Sequence, residues 1–148
     1  MKHFKIEELI RCFRENGARC RECPLKQPAG KLPAGCEENL EALVEEVLEP
    51  ARAAYGKPII VNSGYRCSIH NAAVGGASSS QHMRGEAADL HCADNRRLAK
   101  VIVEQGRFDQ LIIYPTFVHV SYKRGGGNRH QVLRKTSTGY QRITASEI

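Results

Sequence analysis

The stretch Ser80-Gln81-His82-Met83-Arg84-Gly85-Glu86-Ala87-Ala88-Asp89-Leu90 constrains this chain more than any other. It sets an imidazole and a carboxylate on either side of a glycine, and small residues lead into the aspartate. Gly85 takes a turn that a residue with a Cβ resists. Ala87 to Cys92 then reads as a short strand, whose alternation puts Ala87, Asp89 and His91 on one face and Ala88, Leu90 and Cys92 on the other. A divalent metal wants such groups, a neutral imidazole and a carboxylate brought together by folded backbone. Two ligands leave a site incomplete, and the best third donor is His119 in Phe117-Val118-His119-Val120-Ser121. That run is β-branched and alternates, with Phe117, His119 and Ser121 on one face.

A chain of 148 residues is one domain's worth, so a single domain over 1–148 is expected, with a core that needs no staples. No apolar run approaches the ~20 residues that span a bilayer, so no membrane association is expected. The first residues, Met1 to Glu8, hold no continuous apolar segment of the secretory kind, and the expectation is a chain that stays in the cytosol or is released by lysis. The formal net charge is +6, with the excess towards the end at Lys123, Arg124, Arg129, Arg134, Lys135 and Arg142. A basic surface favours polyanions, among them nucleic acid, teichoic acid and peptidoglycan carboxylates. Helix-turn-helix and zinc-finger spacings are absent, Trp is absent and aromatics are few, so nucleic acid is not an expected partner. A monomer is expected.

Phe4 to Phe13 reads as a short amphipathic helix, stopped by Asn16-Gly17. The segment from Ala18 to Gly35 is rich in Pro, Gly and Lys and reads as a loop. Cys12, Cys20, Cys23 and Cys36 gather there, and Cys20-x-x-Cys23 has metal-ligand spacing. A second, structural metal held by these four thiolates, two disulfides and free thiols all remain open at this point. Cys67 and Cys92 read as small packed hydrophobes.

Glu38 to Tyr55 is the clearest helix, with Pro50 kinking its last turn and Gly56 ending it. Ile59-Ile60-Val61 reads as a strand, and Ser68 to Ser80 as a small-residue loop with a short helix at Asn71 to Val74. Asp94 caps a helix through Gln105. Asp109 to Tyr114 and Phe117 to Tyr122 form a hairpin, Gln131 to Arg134 adds an edge strand, and residues 137–148 are expected to be a basic, loosely ordered tail. Short helices on a mostly antiparallel sheet make an α+β fold.

The pattern S-x-H-x-x-G-x-A-x-D, followed by a strand carrying V-H-V, resembles the zinc D-Ala-D-Ala carboxypeptidases. That group includes vancomycin-resistance D,D-peptidases and phage endolysins that cut between L-Ala and D-Glu, and it shares its fold with the hedgehog signalling domain. Three more segments agree in order and spacing: Tyr55 to Arg66 resembles the strand ending S-G-Y-R, Asn71 to Gly76 the N-x-A-V-G-G segment, and Phe108 to Ile112 the F-D-Q-L-I strand. The resemblance runs from Phe4 to Leu133. It implies a bacterial or phage zinc peptidase acting on peptidoglycan peptides, as a carboxypeptidase or an endolysin, with Zn2+ held by His82, Asp89 and His119. It implies a catalytic Arg66 that binds the substrate carbonyl or the developing oxyanion, a task suited to an always-charged guanidinium fork. Ser80 holds substrate or caps the turn, and Gln110 binds substrate or orders the site floor. One departure stands out. Many relatives carry an acid three residues before the last histidine ligand, and here that residue is Thr116; others carry Glu where this chain has Tyr114. A missing base leaves a non-catalytic zinc domain that binds cell-wall peptide or protein as the alternative. An acid restored at position 116 is expected to raise activity, and Asp109 is the next candidate base.

Overall fold

A computed structural model describes residues 2–10 and 32–148. Helix α1 (Ile6–Ile10) comes first. A continuous helical rod follows, made of α2 (Cys36–Leu43), a π-helical segment (Val44–Leu48) and α3 (Glu49–Tyr55). The wide segment sits just before Pro50, whose ring crowds the carbonyl of Glu46 and has no N–H to offer it. The proline therefore sits beside a widened middle of the rod, at the start of its last segment. Gly56 ends the rod in the left-handed region at φ 79°, its N–H bonding the Arg52 carbonyl.

Strands β1 (Ile60–Ser63), β2 (Ala87–His91), β3 (Gln110–Ile113), β4 (Val118–Ser121), β5 (Gln131–Thr136) and β6 (Gly139–Arg142) form one sheet in the order β1-β2-β4-β3-β5-β6. Helix α4 (Ser68–Ala73) starts earlier than the expected 71–74, because the Cys67 sulfur caps it by accepting from the His70 N–H. Helix α5 (Asn95–Gln105) begins at the expected Asp94 cap, whose carboxylate accepts from the Arg97 N–H.

Alternation divides the sheet. Ala88, Leu90, Leu111, Val118 and Val120 are fully buried against the rod and α5, through Leu40, Leu43, Leu98 and Ile102. Asp89, Gln110, Ile112 and His119 lie on the opposite face, which lines a cleft. Every pairing is antiparallel except β3 with β5.

Two expectations for the C-terminal region are corrected. Strand β5 is not at the edge: the chain loops through Gly126 and Gly127, both at positive φ, and lays β5 parallel to β3 with β6 outside it. The stretch 137–148 is not loosely ordered. Strand β6 pairs with β5, Ile143 and Ile148 are buried, and Arg96 donates to the Ile148 carbonyl. A few apolar anchors in an otherwise polar segment are enough to dock it.

Asp109, with no exposed surface, ties the sheet together. Its carboxylate accepts from the Arg129 backbone N–H at 2.8 Å, from Arg129 Nε at 3.1 Å and Nη2 at 2.9 Å, and from Gln81 at 3.1 Å. Burial opposes its ionisation, but the bonds from Arg129 and Gln81 outweigh burial and lower its pKa from 3.8 to about 2. A depressed pKa means stability that is present above 3.8 and lost as pH falls through about 2. Asp109→Asn is therefore expected to cost about 2 kcal/mol at pH 7, and the gap from wild type should close between pH 4 and 2. Urea midpoints across that range measure it, and a pH-independent gap would contradict the assignment.

Candidate metal centre

Two sheet strands and one turn converge on the site. Asp89 and His119 are direct cross-strand partners on β2 and β4. His82 arrives on a 3-10 turn, Gln81–Arg84, which starts at Ser80 and ends at Gly85 with φ 75°. The Ser80 hydroxyl accepts from the His82 N–H at 3.2 Å, so Ser80 caps the turn while also lining the cleft. A Cβ on Gly85 would meet the Cys36 carbonyl oxygen at 2.6 Å and its sulfur at 2.7 Å, so the turn is pressed against the start of α2.

His82 is buried, and its Nδ1 lies 2.7 Å from the Gly64 carbonyl. A carbonyl only accepts, so Nδ1 carries the proton and Nε2 presents a lone pair. Burial also pushes the His82 pKa below its ordinary value, which keeps the ring neutral. That lone pair faces Asp89 Oδ1 at 3.3 Å and His119 Nδ1 at 3.3 Å, and the last two atoms are 2.9 Å apart. Tetrahedral zinc with bonds of 2.0–2.1 Å separates its ligands by about 3.3 Å. Three electron-rich atoms so spaced fit one face of that tetrahedron, and the cation relieves their mutual repulsion. Among the described residues this is the one His/Cys/Asp/Glu group spaced for a metal ion, and it opens onto a cleft of about 820 Å³.

Arg66 grips the other carboxylate oxygen, with Nη2 donating to Asp89 Oδ2 at 2.8 Å. Its Nε donates to the Ser63 hydroxyl and its Nη1 to the Asn71 side chain. An irregularity in the β1–β2 register between Val61 and Ser63 turns the chain so that Arg66 reaches β2. The pairing with Asp89 was not legible from the sequence. Gln110 lines the cleft and donates to the Gln131 side chain at 2.7 Å, tying β3 to β5. His91 turns to Asn62 and His130 to Phe108, so neither joins the triad.

Neither expected source of a base survives. Thr116 is exposed in the β3–β4 turn, where its carbonyl accepts from Asn95, and it is not among the cleft-lining residues. Restoring an acid there would place it outside the cleft. Asp109 is committed to Arg129. Tyr114 does line the cleft, stacked on Phe117 with ring centroids 4.3 Å apart and its hydroxyl 3.2 Å from that of Tyr140. Burial, and then the Tyr140 phenol, raise its pKa, so Tyr114 stays protonated and acts as a donor. Tyr140, Arg129, Lys123 and Arg84 also line the cleft. Tyr140 was not legible in advance, because the strand that carries it is mostly polar.

Of the four clustered cysteines, Cys12, Cys20 and Cys23 lie outside the described residues. Cys36 is buried and forms no disulfide among the described residues, and burial, with help from Glu38, raises its thiol pKa to about 12. No helix among the described residues is long and apolar enough to cross a membrane.

The zinc D-Ala-D-Ala carboxypeptidase of Streptomyces albus G is 40% identical to this chain over 74 residues, which is 49% of this chain and 29% of that protein. The matched segment is thus under a third of the relative's length. A wider match comes from the peptidase M15 family model, which covers residues 2–121 and with them all three converging side chains. With its mixed six-stranded sheet backed by helices and its His-Asp-His cluster at the cleft floor, the chain belongs to the peptidase M15 family.

Proposed function

We propose that this protein is a zinc-dependent peptidase that hydrolyses peptidoglycan stem peptides, at a D-Ala-D-Ala or an L-Ala-D-Glu type bond. The observation that carries the reading is the triad of His82 Nε2, Asp89 Oδ1 and His119 Nδ1, spaced for one metal ion at the floor of an open cleft. Zinc held there supplies the Lewis acidity that activates water and polarises a scissile carbonyl. The residues do the rest. Gly64 fixes the His82 tautomer, Arg66 holds Asp89 in register, and the protonated Tyr114 hydroxyl offers a hydrogen bond to charge developing in the cleft. The domain runs over residues 1–148, and the protein acts as a monomer. If Cys12, Cys20, Cys23 and Cys36 take a second zinc, Cys36 must lose its proton to do so.

A second reading has one observation in its favour: Asp89 is the sole carboxylate among the described cleft-lining residues, which leaves no free acid to accept a proton. On that reading the domain binds cell-wall peptide without cutting it. Incubation of the zinc-loaded protein with muropeptides, with products read by mass, separates the two. Chelator-sensitive cleavage supports the peptidase, and binding without cleavage supports the alternative.

Arg66→Lys keeps the charge and loses the fork. Turnover is expected to fall by more than about tenfold, and zinc affinity to fall with it as Asp89 loses a partner. Stability should barely change. Wild-type kinetics in the lysine variant would reduce Arg66 to a bystander.

A further inference from the structure

The cleft is lined by four cations, Arg66, Arg84, Lys123 and Arg129, against the single carboxylate of Asp89. Three of the four are already paired: Arg66 with Asp89, Arg84 with Glu86 at 2.8 Å and Arg129 with Asp109 at 2.9 Å. Lys123 has no acidic partner among the described residues. It is half-buried, and its backbone is pinned from both sides: its N–H donates to the Asn128 side chain at 2.8 Å, and its carbonyl accepts from Asn128 at 3.2 Å. Strand alternation runs Phe117, His119, Ser121, Lys123 along one face, and the Tyr122 N–H still bonds β2 through the Glu86 carbonyl. The ammonium therefore stands on the metal's side of the sheet, at the end of the cleft away from the Tyr114–Phe117–Tyr140 aromatics.

We infer that Lys123 is a specificity residue that receives a carboxylate of the substrate remote from the bond to be cut. This rests on the peptidase reading with cleavage at a D-Ala-D-Ala bond, from which the D-glutamate carboxyl is remote, and deepens it. Four positions separate His119 from Lys123, so their Cα atoms lie at most about 13 Å apart, and a lysine side chain spans part of that gap. The anion it meets lies roughly two or three residues of extended peptide from the metal, which selects an internal acidic residue over the carboxylate beside the scissile bond. An ammonium already neutralised by a protein carboxylate would give no such selection; an unpaired one in a partly shielded cleft does.

The test uses two synthetic stem pentapeptides, identical except that the free carboxyl of the internal D-glutamate is a carboxamide in one. Binding to the full-length protein after chelator treatment is measured by calorimetry, and kcat/KM is then measured after zinc is restored. Wild type is expected to bind the carboxylate form at least tenfold more tightly. Lys123→Met should bind both forms alike, Lys123→Arg should restore the preference, and raising the salt should shrink it. Equal binding of the two peptides by wild type, or an undiminished preference in Lys123→Met, overturns the inference and leaves the peptidase reading standing. Binding of neither peptide overturns the inference, and absence of cleavage of both once zinc is restored overturns the peptidase reading as well.

Discussion

The wild-type protein is expected to bind about one equivalent of zinc, and His82→Ala to lose it, with peptidase turnover falling by at least about a thousandfold. The three ligand atoms form a face with edges of 2.9 to 3.3 Å, and two of them alone do not hold the ion against water. The loss is local. The imidazole is buried, but what it leaves behind is one cavity and one unsatisfied acceptor, the Gly64 carbonyl, worth about 1–3 kcal/mol. Zinc content by elemental analysis, with a melting curve on the same sample, checks both halves. Any second equivalent held by the cysteines should survive the substitution. Unchanged zinc in the variant would remove His82 from the site.

The other large effect lies outside the triad, at Gly64. Its φ is ordinary; what it lacks is room. A Cβ there would meet the Leu9 carbonyl oxygen at 2.3 Å and the Leu9 Cα at 2.8 Å, both backbone atoms of α1 that cannot rotate away. The same Leu9 carbonyl accepts the Tyr65 N–H at 2.6 Å, so β1's end and α1 are locked together where the His82 ring is anchored. Gly64→Ala is expected to cost about 3 kcal/mol of stability through overpacking. As the Gly64 carbonyl moves, the His82 ring loses its orientation, and zinc affinity should fall about 10–100-fold. Gly56→Ala is the control. It strains a left-handed cap but meets nothing, so it should cost about 1 kcal/mol and leave zinc affinity unchanged. Equal zinc affinity in Gly64→Ala and wild type would mean that the anchor on His82 is idle.

The parts legible in the sequence are those where a local pattern decides the outcome. In two alternating strands, Asp89 and His91 are interleaved with Ala88 and Leu90, and His119 and Ser121 with Val118 and Val120, which puts Asp89 and His119 on the same side of the sheet. Asp94 announced α5 because a cap bonds three residues ahead. The pairings across long stretches of chain were hidden. Arg66 reaches Asp89, 23 positions away, only after a register irregularity in β1 turns it, and Asp109 is consumed by Arg129, which lies just before the strand that was expected at the edge. Thr116 matched the family's acidic position by counting residues, yet the turn of the hairpin takes it out of the cleft. The tail was misjudged because Tyr140, Ile143 and Ile148 are spread too thinly to show a period, although the two isoleucines are buried and Tyr140 reaches the Tyr114 hydroxyl.

One consequence of the sheet's division into a core face and a cleft face concerns time. Asp89 alternates with Ala88 and Leu90, and His119 with Val118 and Val120, so the strands that carry the candidate ligands are the strands that close the core. A slip of one residue would bury the ligands and expose the core. Zinc would reach the site through the cleft, and once held by both strands it would oppose opening of the central sheet. Amide protons of β2 and β4 should exchange with solvent only through that opening and slow further as free zinc rises, while those of the outer β6 exchange on their own faster clock.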